Sequence, residues 1–245
     1  DMHHDGSKDV TGKWIDISLT EGEDRTAMLN KFSAVWTQIA TTFAGYDQHL
    51  IFESMNEVMI GNSYGYTSSL AYENINALNQ TFVNAVRSVD GNSDRCLLIP
   101  GYNTNIDLTI SGLFKKPTDT TANRLMLSVH YYDPYDFTLN EQGTAEWDEE
   151  TELAYMQGQM QKISAFANGL NMPVIIGEYG AVNKENDFNR IIYLSVLNRT
   201  AETYNIVTAY WDNGYTGQYG FALFDRNSNM IIESGTELIN AIMNK

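Results

Sequence analysis

The sequence predicts an α/β fold in which parallel strands alternate with helices. Short apolar segments alternate along the chain with longer segments in which apolar residues recur at helical spacing. The apolar segments read as nearly continuous runs, which is typical of strands covered on both faces. These two observations favour either an α/β barrel or a doubly wound sheet.

The predicted elements follow one another in a regular order. Strands are expected at residues 49–54, 95–100, 125–129, 173–177 and 206–211, and helices at residues 25–43, 70–89, 150–168, 188–204 and 235–243. The sequence contains no repeated motif and no low-complexity linker between these elements.

The positions of the polar residues separate the two candidate folds. Polar and aromatic groups follow four of the strands directly, and in a barrel the C-terminal ends of all strands converge on one face. These groups are Asn56-Glu57, His130-Tyr131-Tyr132, Glu178-Tyr179 and Trp211-Asp212-Asn213. No strand leads into a G-x-G-x-x-G segment, so a dinucleotide-binding fold has no support. The sequence therefore predicts a (β/α)8 barrel.

The number of strands is too small for a closed barrel. Five strands are visible, and the opening residues 2–5 read like the C-terminal tip of a sixth. An eight-unit barrel usually needs about 250 residues. This chain uses its 245 residues for fewer units than eight. We therefore expect the chain to supply the end of strand three through strand eight and the last helix. On this view residues 1–245 form one incomplete domain, which an N-terminal fragment or a second copy completes.

The charge of the chain argues against several partners. Its formal net charge is −16, from 31 acidic and 15 basic residues. Such a surface repels phosphate backbones and anionic lipids, whereas a neutral polysaccharide feels no such repulsion. No apolar run approaches the roughly 20 residues that cross a bilayer. The lone Cys96 lies in an apolar run and is expected to be a small buried hydrophobe.

Two glutamates stand where the chemistry of a barrel enzyme is expected. Glu57 follows one strand and Glu178 follows another. Two carboxylates brought to one barrel mouth are what glycoside hydrolysis needs, one to protonate the leaving oxygen and one to attack the anomeric carbon. Taken singly, each of them is more often a salt-bridged or capping residue. Glu53, inside its strand, is expected to be a buried structural partner of a basic group.

The segments around both glutamates resemble glycoside hydrolase family 5. Residues 52–57, FESMNE, resemble its F-E-x-x-N-E strand-four segment, and residues 174–180, VIIGEYG, are similar to its strand-seven G-E-[FY]-G segment. The resemblance implies that Glu57 is the general acid/base, that Asn56 binds the sugar 2-hydroxyl, and that Glu178 is the nucleophile. Val58 stands where the family usually has proline.

Further residues extend the resemblance to the whole chain. His130-x-Tyr132 matches the family's strand-six H-x-Y, Trp211 matches the tryptophan that floors the −1 subsite, and His3-His4 looks like the strand-three pair near the cleft. The sequence of residues 130–137 and 211–214 looks most like that of subfamily 4. The resemblance also implies a non-proline cis peptide at Trp211-Asp212. We expect Asn213 and Trp14 to bind substrate as well.

Other aromatic and histidine residues have two interpretations. Trp14 and Trp147 suit a sugar platform about as well as rim packing, whereas Trp36 lies in a helical pattern and is expected in the core. Adjacent residues of an extended segment point to opposite faces, so His3 and His4 make a poor chelating pair. We therefore expect no metal and no cofactor.

The function that the resemblance implies is a retaining endo-β-1,4-glucanase. It would hydrolyse a plant β-glucan such as cellulose, lichenan or xyloglucan by double displacement, in a secreted, cell-surface or periplasmic setting of the bacterial type. Two alternatives stay open. One is a catalytically incomplete barrel fragment that only binds carbohydrate, and the other is a retaining mannanase, xylanase or β-1,3-glucanase.

Overall fold

The structure, a computed structural model, describes residues 1–6, 12–61, 64–65 and 68–243. The chain separates into two compact units, each made of two stretches of sequence. Unit 1 contains residues 1–129 and 166–173, and unit 2 contains residues 130–165 and 174–245. The expectation of a single domain stays a prediction.

Three parallel strands form the sheet of unit 1. They are β1 (Phe52–Glu53), β2 (Leu97–Pro100) and β3 (Leu125–Tyr131), whose last two residues belong to unit 2. Phe52 pairs with Leu97, and Leu97 pairs with Leu125. Every residue of β2 is buried, as expected for a central parallel strand. The helices of this unit are α1 (Glu23–Thr42), α2 (Ser69–Arg87) and the four-residue α3 (Ile106–Thr109).

The core of unit 1 lies where α1 meets α2 and the strands. The expectation for Trp36 is confirmed: its ring is buried against Phe82, and its Nε1 donates to the carbonyl of Ser54 at 3.2 Å. The buried guanidinium of Arg95 donates to four carbonyls just beyond α1, those of Phe43, Tyr46, Asp47 and Leu50. Arg95 thereby fixes the chain between α1 and β1. Cys96 is half-buried, so the expectation of a buried thiol was wrong, because only its neighbours from Leu97 onward point into the core.

Unit 2 has the same alternation of strand and helix. Its parallel strands are β4 (Val174–Tyr179) and β5 (Ile206–Thr208), and Val174 pairs with Ile206. Its helices are α4 (Tyr135–Thr138), α5 (Glu149–Gly169, whose end belongs to unit 1), α6 (Asp187–Thr203) and α7 (Gly235–Ile242). An antiparallel hairpin, β6 (Phe224–Asp225) and β7 (Met230–Ile231), precedes α7.

A buried polar network connects the elements of unit 2. The amide of Asn198 on α6 exchanges hydrogen bonds with the hydroxyl of Tyr179 on β4 at 3.0 and 3.1 Å. The Oδ1 of Asn198 also accepts from the hydroxyl of Thr208 on β5 at 2.7 Å. Because every member is satisfied, this network fixes the ends of both strands against α6.

Among the described residues, none of the helices is both long enough and apolar enough to cross a bilayer.

Candidate active site

Asn56 and Glu57 lie just past the C-terminal end of β1. The amide of Ser54 still bonds to Leu98, the amide of Asn56 bonds to the carbonyl of Met2 at 3.3 Å, and the amide of Val58 turns back to Asn56 at 2.8 Å. Asn56 is buried and Glu57 is half-buried. The strand thus delivers both residues to its carboxyl end, where a barrel carries its site.

The side chain of Asn56 is only partly satisfied. Its Nδ2 lies 3.4 Å from Nε2 of His3, while its buried Oδ1 has no hydrogen-bond partner within the described part of the chain. A buried acceptor without a partner costs about 1–3 kcal/mol. A sugar hydroxyl that donated to this oxygen would recover that cost, which fits the predicted role of Asn56.

The two histidines at the start of the chain differ in their surroundings. His3 lies between Asn56 and Asp1, with its Nδ1 3.4 Å from a carboxylate oxygen of Asp1. The ring of His4 meets the ring of His3 edge to face and is exposed. The structure therefore brings His3, and not His4, to the side chain of Asn56.

Glu53 has a different partner from the one expected. Its Oε1 accepts from the hydroxyl of Ser128 at 2.5 Å, and no basic group contacts it within the described residues. The expected basic partner of Glu53 therefore stays a prediction.

Glu178 lies in β4 and is held by two side chains from the end of β3. The hydroxyl of Tyr132 donates to its Oε2 at 3.2 Å, and Nδ1 of His130 lies 3.4 Å from the same oxygen. The side chains of His130 and Glu178 are only 5% and 12% exposed, so water competes little for these contacts. The hydroxyl of Tyr132 and the imidazole of His130 both contact one carboxylate oxygen and so hold the Glu178 side chain in position.

The loop after β3 is fastened to the residues that follow β4. The buried hydroxyl of Thr138 donates to the carbonyl of Tyr132 at 2.5 Å, and the carbonyl of Thr138 accepts from the amide of Val182 at 2.9 Å. Nζ of Lys184 donates to the carbonyls of Asp136, Phe137 and Thr144 at 2.7 to 3.1 Å. Burial lowers the pKa of Lys184, and the charge of Asp136 opposes that shift.

Trp211 follows β5, and its amide donates to the carbonyl of Tyr179 at 3.0 Å. The predicted cis peptide after it was wrong, because the cis bond among the described residues is Asp133-Pro134. A trans bond is favoured by about 2.5–4 kcal/mol at a non-proline residue. The carboxylate of Asp212 instead accepts from the amides of Gly214 and Leu223 at 2.7 and 2.9 Å.

Asn213 organises its own loop. Its Oδ1 accepts from the amides of Tyr215 and Phe221 at 3.0 and 3.1 Å, so this oxygen is already occupied. Its expected role in substrate binding stays a prediction.

The two ambiguous tryptophans have separate outcomes. Trp147 is buried and packs edge to face on Tyr193 at 5.7 Å, which is rim packing and leaves no face for a sugar. Trp14 is half-buried, its Nε1 donates to Asp5, and Nζ of Lys31 lies 4.2 Å over its ring. One face of Trp14 is therefore covered by a cation, and its platform role stays a prediction.

Comparison with known proteins establishes the family. The model for cellulase of glycosyl hydrolase family 5 matches residues 1–217, so this chain belongs to that family. The predicted family and the predicted α/β fold, part of a (β/α)8 barrel, are confirmed.

Several named proteins are similar to this chain. The chain is 37% identical to Endoglucanase A of Paenibacillus barcinonensis over 99% of its own length and 66% of that protein. It superimposes on a family 5 xyloglucanase from Paenibacillus pabuli with a TM-score of 0.91 at 39% identity, covering 99% of this chain and 73% of the other. A GH5-4 broad specificity endoglucanase from Ruminococcus champanellensis gives a TM-score of 0.82 at 36% identity, covering 90% of this chain and 64% of the other. The chain thus spans about two thirds of the length of these relatives.

Proposed function

We propose that the protein carrying this chain is a retaining endo-β-1,4-glucanase. The observation that carries the proposal is the carboxylate of Glu178, which the hydroxyl of Tyr132 and the imidazole of His130 both contact, in a chain of family 5. An oriented, ionised carboxylate is what the nucleophile of a double displacement must be.

In the proposed reaction the two glutamates act in sequence. Glu57 protonates the glycosidic oxygen while an oxygen of Glu178 attacks the anomeric carbon, which gives a covalent glycosyl-enzyme and releases the leaving sugar. Glu57, now a carboxylate, then takes a proton from water as the water attacks the same carbon and frees Glu178. The anomeric configuration is therefore retained after two inversions.

Asn56 is proposed to hold the sugar ring during both steps. Its buried Oδ1 is available to accept from the 2-hydroxyl, a contact that strengthens in the oxocarbenium-like transition state. Tyr132 and His130 keep Glu178 in place between the steps.

The substrate class follows from the relatives by analogy. The similar proteins are named as an endoglucanase, a xyloglucanase and a broad specificity endoglucanase, so a β-1,4-linked glucan main chain is the proposed substrate. We propose secretion or display at the bacterial cell surface, because a polymer of this size is degraded outside the cell.

The test is release of reducing sugar from carboxymethylcellulose, lichenan, xyloglucan, xylan and mannan, with Glu178→Ala as the matched blank. Activity on the glucans is the expected result. Activity on mannan or xylan alone would instead indicate a mannanase or a xylanase. Binding without release by the unmutated protein would indicate a carbohydrate-binding barrel.

The expectation that another segment or a second copy completes the barrel stays a prediction. Light scattering checks it, since a stable monomer of 27.6 kDa would contradict it.

A further inference from the structure

The turn after β2, at residues 101–105, holds an uncommon backbone conformation. Asn103 (φ 51°, ψ 27°) and Thr104 (φ 48°) both lie in the left-handed region. Asparagine tolerates this region, but for a β-branched residue it is an outlier that costs on the order of 1–3 kcal/mol. Such conformations persist only where the surroundings impose them, and they are concentrated at functional sites.

The surroundings of this turn do impose its shape. A Cβ atom at Gly101 would lie 2.2 Å from Oγ1 of Thr109, so only glycine fits there. Thr104 is fully buried, and its hydroxyl donates to the carbonyl of Asn103 at 2.7 Å. Tyr102 is also fully buried, and its ring lies 6.0 Å from the ring of Tyr72. The turn is therefore a rigid part of unit 1.

Two hydrogen bonds join this turn to the segment that directly follows Glu57. The amide of Ile60 donates to the hydroxyl of Tyr102 at 3.0 Å, and the amide of Asn103 donates to the carbonyl of Val58 at 3.0 Å. The amide of Asn56, on the other side of Glu57, is bonded to Met2. The main chain is thus fixed on both sides of Glu57.

We propose that Tyr102 is a positioning residue for Glu57. Its hydroxyl, together with the strained turn, holds residues 58–60 and so fixes the direction in which the Glu57 side chain leaves the main chain. A displacement of about 1 Å in a reacting group can cost on the order of 10²-fold in rate. This inference rests on the proposed role of Glu57 as the general acid/base, and it adds a residue that does not itself touch substrate.

The chain offers a matched pair of variants. Tyr102→Phe keeps the buried ring and removes the acceptor of the Ile60 amide. Tyr72→Phe removes a neighbouring buried hydroxyl that donates to the carbonyl of Leu108, away from residues 58–60. Both variants lose one buried hydroxyl, so similar small losses of melting temperature are expected for the two.

Their kinetics should differ if Tyr102 acts through Glu57. In Tyr102→Phe we expect kcat/KM on an aryl cellobioside with a poor leaving group to fall about tenfold or more, and kcat/KM on the dinitrophenyl cellobioside to change little. The limb of the pH profile that reports the general acid should also move. Tyr72→Phe should alter neither. Equal losses on both substrates, or equal effects in both variants, would overturn the proposal.

Hydrogen exchange separates this inference from the proposed function. The Ile60 amide should exchange faster in Tyr102→Phe than in Tyr72→Phe, while the amides of β4 stay unchanged. If the unmutated protein turns over no substrate, or Glu57→Ala shows no dependence on the leaving group, the proposed function fails. The exchange of the Ile60 amide then decides the positioning role alone, and an unchanged rate in Tyr102→Phe contradicts it.

Discussion

The two glutamates of this chain are held in different ways. In unit 2 the side chain of Glu178 is contacted directly, by a hydroxyl and an imidazole that converge on one oxygen. In unit 1 the main chain on both sides of Glu57 is fixed by hydrogen bonds to Met2, Tyr102 and Asn103. A nucleophilic carboxylate must be ionised and in place before it attacks, so direct side-chain contacts serve it. An acid/base group gives up and regains a proton, and the fixed main chain on both sides of Glu57 sets the direction of its side chain.

The largest effect is expected from Glu178→Ala. Without the nucleophile no covalent intermediate forms, so turnover should fall below detection on every substrate, whatever its leaving group. Initial rates on lichenan and on dinitrophenyl cellobioside measure this. Substantial residual activity on either substrate would remove Glu178 from the role.

A selective loss is expected from Glu57→Ala. Activity on polysaccharide should fall by about 10² to 10⁴-fold, because its leaving group needs a proton. The first step on dinitrophenyl cellobioside needs none, so its kcat/KM should change little, and added azide should speed the second step. Equal losses on both substrates would contradict separate roles for the two glutamates.

Tyr132→Phe sharpens the contrast between the two units. It removes one donor to Glu178, and hydrogen bonds to charged groups contribute about 1.5–3 kcal/mol. We expect kcat/KM to fall roughly 10- to 150-fold, by similar factors for good and poor leaving groups, unlike Tyr102→Phe. A loss confined to substrates with poor leaving groups would indicate that Tyr132 acts on the acid/base Glu57 and not on Glu178.

The smallest effect is expected from Asn213→Ala. Both bonds to its Oδ1 come from amides of its own loop, so the variant should lower the free energy of unfolding by about 1 kcal/mol. Chemical denaturation measures that change, and KM for lichenan should stay within about twofold. A large rise in KM without loss of stability would instead support the substrate-binding role predicted from the sequence.

The sequence predicts the long elements well because their periodicity is strong. The helix expected at residues 188–204 is observed at Asp187–Thr203, and the strand expected at residues 125–129 is observed at Leu125–Tyr131. The four-residue helices α3 and α4 and the hairpin of β6 and β7 were missed, since elements this short carry no readable period. The strand expected at residues 206–211 ends at Thr208, because pairing with β4, and not apolar character, sets its length.

The site was predictable where residues occur in recognisable motifs. The segments around Glu57 and Glu178 led to the family directly. Tyr102 and Lys184 were missed because their partners are backbone groups far along the chain, which no local pattern marks. A tyrosine after a buried strand, followed by two residues in left-handed geometry, becomes visible only when the backbone angles are known.

Double displacement requires that Glu178 becomes covalently bonded to the sugar. Mass spectrometry of peptides, after incubation with a 2-deoxy-2-fluoro cellobioside carrying a good leaving group, tests it directly. One added fluorosugar is expected on the peptide that contains Glu178, and none in Glu178→Ala. An adduct on the peptide of Glu57, or hydrolysis of the parent dinitrophenyl cellobioside with inversion at the anomeric carbon, would contradict it.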